Sequence, residues 1–355
     1  MLFDVKTHYM YNRGMNKIGF ACKWIDRPDQ VNGIKPTDDC KQYNTGGTTV
    51  AWLNRQSRDL AEQKLWNLLD NNISATYKLV ERVGGLKENL RMVRLSSDIL
   101  PVYTEPTWGY FWRDTQVRAR CAEGFARIGA LARKNNVRLS FHPGQFCVLA
   151  SDNPDIVERS IEEFEYHVDM ARWMGYGKSF QDLKINVHIS GRADPQGVIN
   201  ALQRLTPEAR NCITIENEEN AWGLESTLEL TKHCALVLDV HHHWCREGEY
   251  LRPTDDRVLR VIDSWRGVRP TMHYSVSREN WLPGHSAEEF PNMPVLLETG
   301  FKKQKLRAHS DFMWNKRVNE WALSFLNTHD IMVEAKAKNL ASFALAKQAE
   351  DLGLL

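Results

Sequence analysis

The stretch "LVLDVHHHWC", Leu236–Cys245, decides how the chain is read. An apolar run from Ala235 leads into Asp239, and three consecutive histidines follow one residue later. The whole chain has only 12 histidines in 355 residues, so the cluster is not a compositional accident. A short apolar run bounded by polar residues reads as a buried strand. An acid at its end, with imidazoles just beyond, has the chemistry of metal ligands at a strand terminus. The question is whether other strands end in the same way.

Seven further apolar or β-branched runs read as strands: Lys17–Cys22, Arg91–Ser96, Val137–Phe141, Leu183–Ile189, Cys212–Glu216, Arg269–Tyr274 and Asp330–Ala335, with Ala235–Val240 sixth in order. Helical patterns lie between and after them, at Leu60–Glu81, Thr115–Asn135, Pro154–Met174 and Pro195–Leu205, then at Leu224–His233, Asp255–Trp265, Asp311–Leu326 and Lys336–Leu352. Asn153-Pro154 and Asp194-Pro195 are cap-then-proline helix starts. Eight strands alternating with eight helices predict an α/β fold, a (β/α)8 TIM barrel spanning 1–355 as one domain. Residues 1–15 read as an N-terminal extension. Two connections, 25–58 after strand one and 275–308 after strand seven, are long enough to expect functional or structureless loops, both on the face where such barrels place their chemistry.

The strand ends repeat the opening pattern. Strand three ends in His142, four near His188 and five in Glu216; six ends in Asp239, seven carries His273 and eight carries Glu334. One strand-end histidine is ordinarily just a hydrogen-bonded polar residue. A buried lone carboxylate costs several kcal/mol unless paired or metal-bound. Six such groups converging on one mouth require cations between them. More than four ligands imply more than one divalent ion, and two ions about 4 Å apart suit phosphoester hydrolysis.

The formal net charge is only +1, so any nucleic-acid binding rests on local patches. "FKKQKLR", Phe301–Arg307, is one such patch. The seven cysteines are dispersed with no CxxC pair, which fits a reduced, cytoplasmic protein. No apolar run approaches the ~20 residues of a membrane helix, so no membrane partner is expected.

The motifs "RLSSDILP", "LSFHPGQF", "INVHISG", "TIENEE", "LVLDVHHH", "AHSDF" and "DIMVEAKAK" resemble, in order, those of the UV damage endonuclease family, from Ile18 to about Lys338. The resemblance implies a TIM barrel related to endonuclease IV, with two to three divalent ions, commonly Mn2+ (Mg2+ or Zn2+ are alternatives). It implies a DNA repair enzyme acting as a monomer on damaged double-stranded DNA. Such an enzyme nicks 5′ of ultraviolet photoproducts and leaves a 3′-hydroxyl and a 5′-phosphate. Carried over by position, His142, His188 and Glu216 hold one ion. Glu216 bridges to a second, held by Asp239, His273 and Glu334, and His242 and His309 hold a third. Glu216, Asp239, His242 and Glu334 are then the catalytic set. Gln145 and Phe146 match the pair that probes the damaged strand, and Phe20, Lys23, Lys302, Lys303, Lys305, Arg307 and Lys336 are the further DNA contacts. The sequence departs from the family where Phe146 and Phe20 replace tyrosines, where Glu105 falls at a histidine ligand, and where Thr271 replaces a lysine that can be carboxylated. Three other readings share parts of the pattern: an apurinic-site endonuclease, a metal-dependent sugar isomerase or epimerase, and a catalytically inactive DNA-binding barrel.

Overall fold

The computed structural model describes residues 16–355; the expected extension at 1–15 lies outside the described residues. Eight strands form one sheet: β1 Ile18–Ala21, β2 Met92–Arg94, β3 Arg138–Phe141, β4 Lys184–His188, β5 Ile213–Glu216, β6 Ala235–Val237, β7 Thr271–Tyr274 and β8 Asp330–Val333. All seven pairings are parallel, in the order β6-β5-β4-β3-β2-β1-β8-β7. Between β6 and β7 a single parallel bridge, Asp239 to His273, brings the ring together, and the His273 N–H donates to the Leu238 carbonyl at 3.0 Å. The TIM barrel is thus as the alternation of strands and helices requires.

The helices begin where short polar side chains take up free backbone N–H groups. Asp114 accepts from Gln116 and Val117 ahead of the helix Thr115–Lys134, and Asn153 accepts from Asp155 ahead of Pro154–Trp173. Residues facing the helices are apolar and merge into one core cluster from Ile18 to Ala349. The lumen is different. Lys184 of β4 meets His273 of β7 across it, with 2.7 Å between Nζ and Nε2. Arg138 of β3 meets Asp330 of β8 at 2.6 Å, and Arg94 of β2 meets Glu334, which follows β8. Such barrels usually fill the lumen with branched apolar residues; here charged pairs do so beneath the mouth.

Several sequence expectations change in detail. The sixth strand stops at Val237, and Val240–Glu247 is helical, because the Asp239 carboxylate accepts from the N–H groups of His241 and His242. The pattern at Leu224–His233 is a short helix, Leu224–Thr227, followed by a 3-10 turn, Leu228–Leu230. The helix expected from Asp311 begins at Lys316, capped by Asn315. Neither long connection is structureless. The first contains the short helices Asp38–Lys41 and Val50–Leu53. The second contains Met293–Glu298 and Lys303–Leu306, and buries a small cluster of its own with Trp244, Cys245 and Leu282.

Candidate metal centre

Each strand-end residue reaches the mouth because strand side chains alternate. On β4 the even positions Lys184, Asn186 and His188 share one face, and His188 is in register with Glu216 of β5. The loops beyond are fixed by close backbone approach. Gly191, with φ of 116°, lies where a Cβ would stand 2.1 Å from the Ala150 carbonyl oxygen, so only glycine lets the β4 loop pack on the β3 loop.

Glu216 is the hub, fully buried. Its Oε2 lies 3.1 Å from His273 Nδ1, 3.4 Å from His142 Nε2 and 3.8 Å from His188 Nε2. Its Oε1 lies 3.4 Å from His242 Nδ1, which is also 3.6 Å from Asp239 Oδ2. His273 Nδ1 stands 3.4 Å from Glu334 Oε1, and His309 Nδ1 stands 3.9 Å from Glu334 Oε2. Three overlapping ligand groups result among the described residues: His142, Glu216 and His273; Glu216, Asp239 and His242; Asp239, His273 and Glu334.

The donor set fits divalent ions. Glu216 Oε1, Asp239 Oδ2 and His273 Nδ1 are buried in the cluster without a hydrogen-bond partner. Buried polar atoms are rarely left so, and cations held by these overlapping groups would satisfy them. His142 Nδ1 sits 2.9 Å from the Pro143 carbonyl, the outer bond that leaves Nε2 free to ligate. Burial works against charge on Glu216, yet the surrounding rings of His273, His188 and His142 hold it well below the usual carboxylate range. Burial raises Asp239, and the nearby Glu216 and Glu334 add to that. Burial lowers His242, but Asp239, Glu216 and Glu219 prevail and push it up to about 10.

Other expected site residues fall in several places. Phe146 is 84% exposed, and Gln145 beside it is exposed, so Phe146 is not a core residue behind the ligands. Both line a cleft of about 470 Å³ with His188, His242, Glu219 and Arg307. Lys23, Lys302, Lys303 and Lys305 are exposed, and Lys336 Nζ lies 3.9 Å from Asp311. Phe20 does not reach a surface. It is 1% exposed, edge-on to Trp24 at 5.8 Å, because it points to the helix side of β1. Glu105 is likewise not among the converging groups. Its carboxylate accepts from the N–H groups of Thr107 and Trp108 and is used up as a turn cap. His242 and His309 turn to different carboxylates, Glu216 and Glu334.

Sequence reasoning missed Arg94, which pairs with Glu334, and Lys184, which burial lowers to about 7. It also missed Asn186, which donates to Glu216, and Asn217, which bonds both the N–H and the carbonyl of Asp239 at 2.9 Å. The signal for Lys184 and Asn186 was available: both lie at period two from His188.

Comparison with known proteins follows the geometry. The family model described as UV-endonuclease UvdE matches residues 32–353. A UV DNA damage endonuclease of Bacillus mycoides (strain KBAB4) is 28% identical over 321 residues, covering 86% of this chain and 89% of the relative. The protein of the same name from Bacillus cereus (strain G9842) is 26% identical over the same length and shares. Among solved structures, SacUVDE aligns with a TM-score of 0.71 at 20% identity, covering 96% of this chain and 100% of that one. Endonuclease IV from Thermus thermophilus aligns at 0.51 and 12% identity, over 79% and 94% of the two chains.

Proposed function

The chain belongs to the UV-endonuclease UvdE family, and from that premise we propose that it nicks duplex DNA immediately 5′ of ultraviolet photoproducts, leaving a 3′-hydroxyl and a 5′-phosphate. It is a DNA repair endonuclease, a phosphodiester hydrolase. One observation carries the finer reading: the strand ends of six elements converge with three buried ligand atoms unpartnered.

His142, His188 and Glu216 would hold one divalent ion, Mn2+ in our reading, and Glu216 with Asp239, His273 and Glu334 would hold a second. His242 and His309, which face Glu216 and Glu334, would be the ligands of a third. Such ions supply Lewis acidity toward the phosphoryl oxygens and a lowered pKa for the attacking water. The protein's own groups orient and exclude. The Pro143 carbonyl fixes the His142 ring and Lys184 fixes His273. Asn186 holds the Glu216 carboxylate against rotation. Gln145 and Phe146 stand exposed on the cleft wall, where an aromatic face can enter a base stack already weakened by a lesion. Lys23, Lys302, Lys303, Lys305, Arg307 and Lys336 are the phosphate contacts, and the protein acts as a monomer inside the cell.

The test uses three duplexes of one sequence: irradiated, abasic and undamaged. With Mn2+, cuts mapping to the 5′ side of dipyrimidine photoproducts uphold the reading. Cleavage confined to the abasic duplex replaces it with an apurinic-site activity. Elemental analysis of the purified protein decides between two ions and three, and a metal-free, Mn2+-insensitive protein overturns the mechanism.

A further inference from the structure

Glu219 and Arg307 belong to none of the ligand groups, yet both line the cleft above them. Arg307 Nη1 lies 2.8 Å from Glu219 Oε1, and Glu219 Oε2 lies 3.6 Å from His242 Nε2. The carboxylate thus stands between a ring of the metal centre and a guanidinium. Its own loop is well braced. The Glu218 carboxylate accepts from the N–H of Asn220 at 2.7 Å, Arg246 donates to the Asn220 carbonyl at 3.1 Å, and the Asn220 amide donates to Glu219 Oε1 at 3.1 Å. The Glu219 side chain is 13% exposed and that of Arg307 is 32% exposed, so the acid is sunk in the wall while the guanidinium faces the opening.

A carboxylate in the wall of a cleft that receives a polyanion is unfavourable by itself. Its presence makes sense if it holds something the polyanion needs. A free arginine loses rotamer entropy when it is fixed on a ligand, and a guanidinium already held in place loses less. Glu219 engages Nη1 and leaves the other donors of the fork free for an acceptor, and the planar fork suits phosphate.

We propose that Glu219 is a positioning residue that aims Arg307 at a DNA phosphodiester in the cleft, beside the metal centre rather than within it. This rests on the nuclease reading above. The sign of one substitution separates it from bland roles. Glu219→Gln removes a negative charge from the DNA path, so simple electrostatics lowers KM for irradiated duplex. Loss of positioning raises it.

The experiment measures steady-state nicking of irradiated duplex with Mn2+ by wild type, Glu219→Gln, Arg307→Gln and the double variant, with metal content for each. Glu219→Gln is expected to raise KM about tenfold with kcat and metal content near wild type. Arg307→Gln is expected to raise KM at least as much and to reduce the salt slope of binding by about 0.9. In the Arg307→Gln background, Glu219→Gln should no longer raise KM. A Glu219→Gln KM at or below wild type overturns the inference, as does a full additive increase in the double variant. Loss of metal from Glu219→Gln also overturns it and makes Glu219 a ligand. Wild-type protein that fails to nick at all overturns the nuclease reading as well; wild type that nicks while the variants behave additively overturns this inference alone.

Discussion

At the scale of the residue, Glu216 gathers more of the histidines than any other carboxylate of the mouth, four against the two of Glu334. Its two oxygens face different partners, Oε2 toward His142, His188 and His273, and Oε1 toward His242. A carboxylate in the proposed bridging role must share its single negative charge over both oxygens. Glu216→Gln keeps the shape and the acceptor for Asn186 but loses the charge, so it should empty the centre and abolish nicking. Full metal content in that variant, measured by elemental analysis, removes Glu216 from the bridge. Phe146 poses the opposite case, a large apolar ring 84% exposed beside the ligand loop. Truncating it touches no core contact. Phe146→Ala should leave metal content and melting temperature nearly unchanged, while the preference for irradiated over undamaged duplex falls by the worth of a stacked base, roughly 1–3 kcal/mol. An unchanged preference, compared on paired substrates, ends the probing role.

At the scale of the element, the opening stretch shows one residue serving two structures. Asp239 Oδ1 accepts from the N–H groups of His241 and His242 at 2.7 and 2.8 Å and starts the helix Val240–Glu247. Its Oδ2 is unpartnered among the ligands. The two roles are separable, because asparagine caps helices about as well as aspartate. Asp239→Asn should lose metal while the metal-free protein unfolds at nearly the wild-type urea concentration. Asp239→Ala should cost about 1 kcal/mol more, the typical worth of a cap. Equal metal-free stabilities for the two variants would show that the cap contributes nothing here. This double use also explains what the sequence hid. The strand ends were legible because apolar runs stop at ionisable residues. The helix after Asp239 was not, because three histidines carry no apolar periodicity of their own and the cap is an acid already claimed as a ligand. Glu105 and Phe20 misled for a related reason: motif spacing locates a residue along the chain, while a local turn bond or the inward-outward alternation of a strand decides where its side chain goes.

At the scale of the molecule, the barrel is held by an unusual distribution of charge. β6 and β7 share no regular ladder and are joined by the Asp239–His273 bridge and the His273 N–H on the Leu238 carbonyl, while the lumen below is crossed by Lys184–His273 and by Arg138 on Asp330. The eightfold alternation made the barrel legible, but these cross-lumen pairs join strands far apart in sequence and have no local signature. Away from the lumen the fold also buries His167, in the helix Pro154–Trp173, and His329, in the turn just before β8. Burial lowers His167 to about 4, and burial together with Arg269 lowers His329 to about 3, from an unfolded value of 6.5. Both have depressed folded pKa values, so the unfolded chain binds protons that the folded one refuses between those limits. Stability therefore falls as pH drops below 6.5, and the loss continues until each folded pKa is reached. Each histidine contributes a slope of roughly 1.4 kcal/mol per pH unit within its window. Neither is a metal ligand, so the effect should persist in chelator-treated protein. Urea unfolding at about pH 7, 6 and 5 measures it directly. His167→Gln should remove one histidine's share and flatten the curve between about pH 6 and 5 by about 1 kcal/mol. A wild-type slope in that variant would mean that His167 takes up its proton in the folded protein as readily as in the unfolded chain, and that its burial beneath Phe141 and Tyr166 is not what sets the acid limit of the fold.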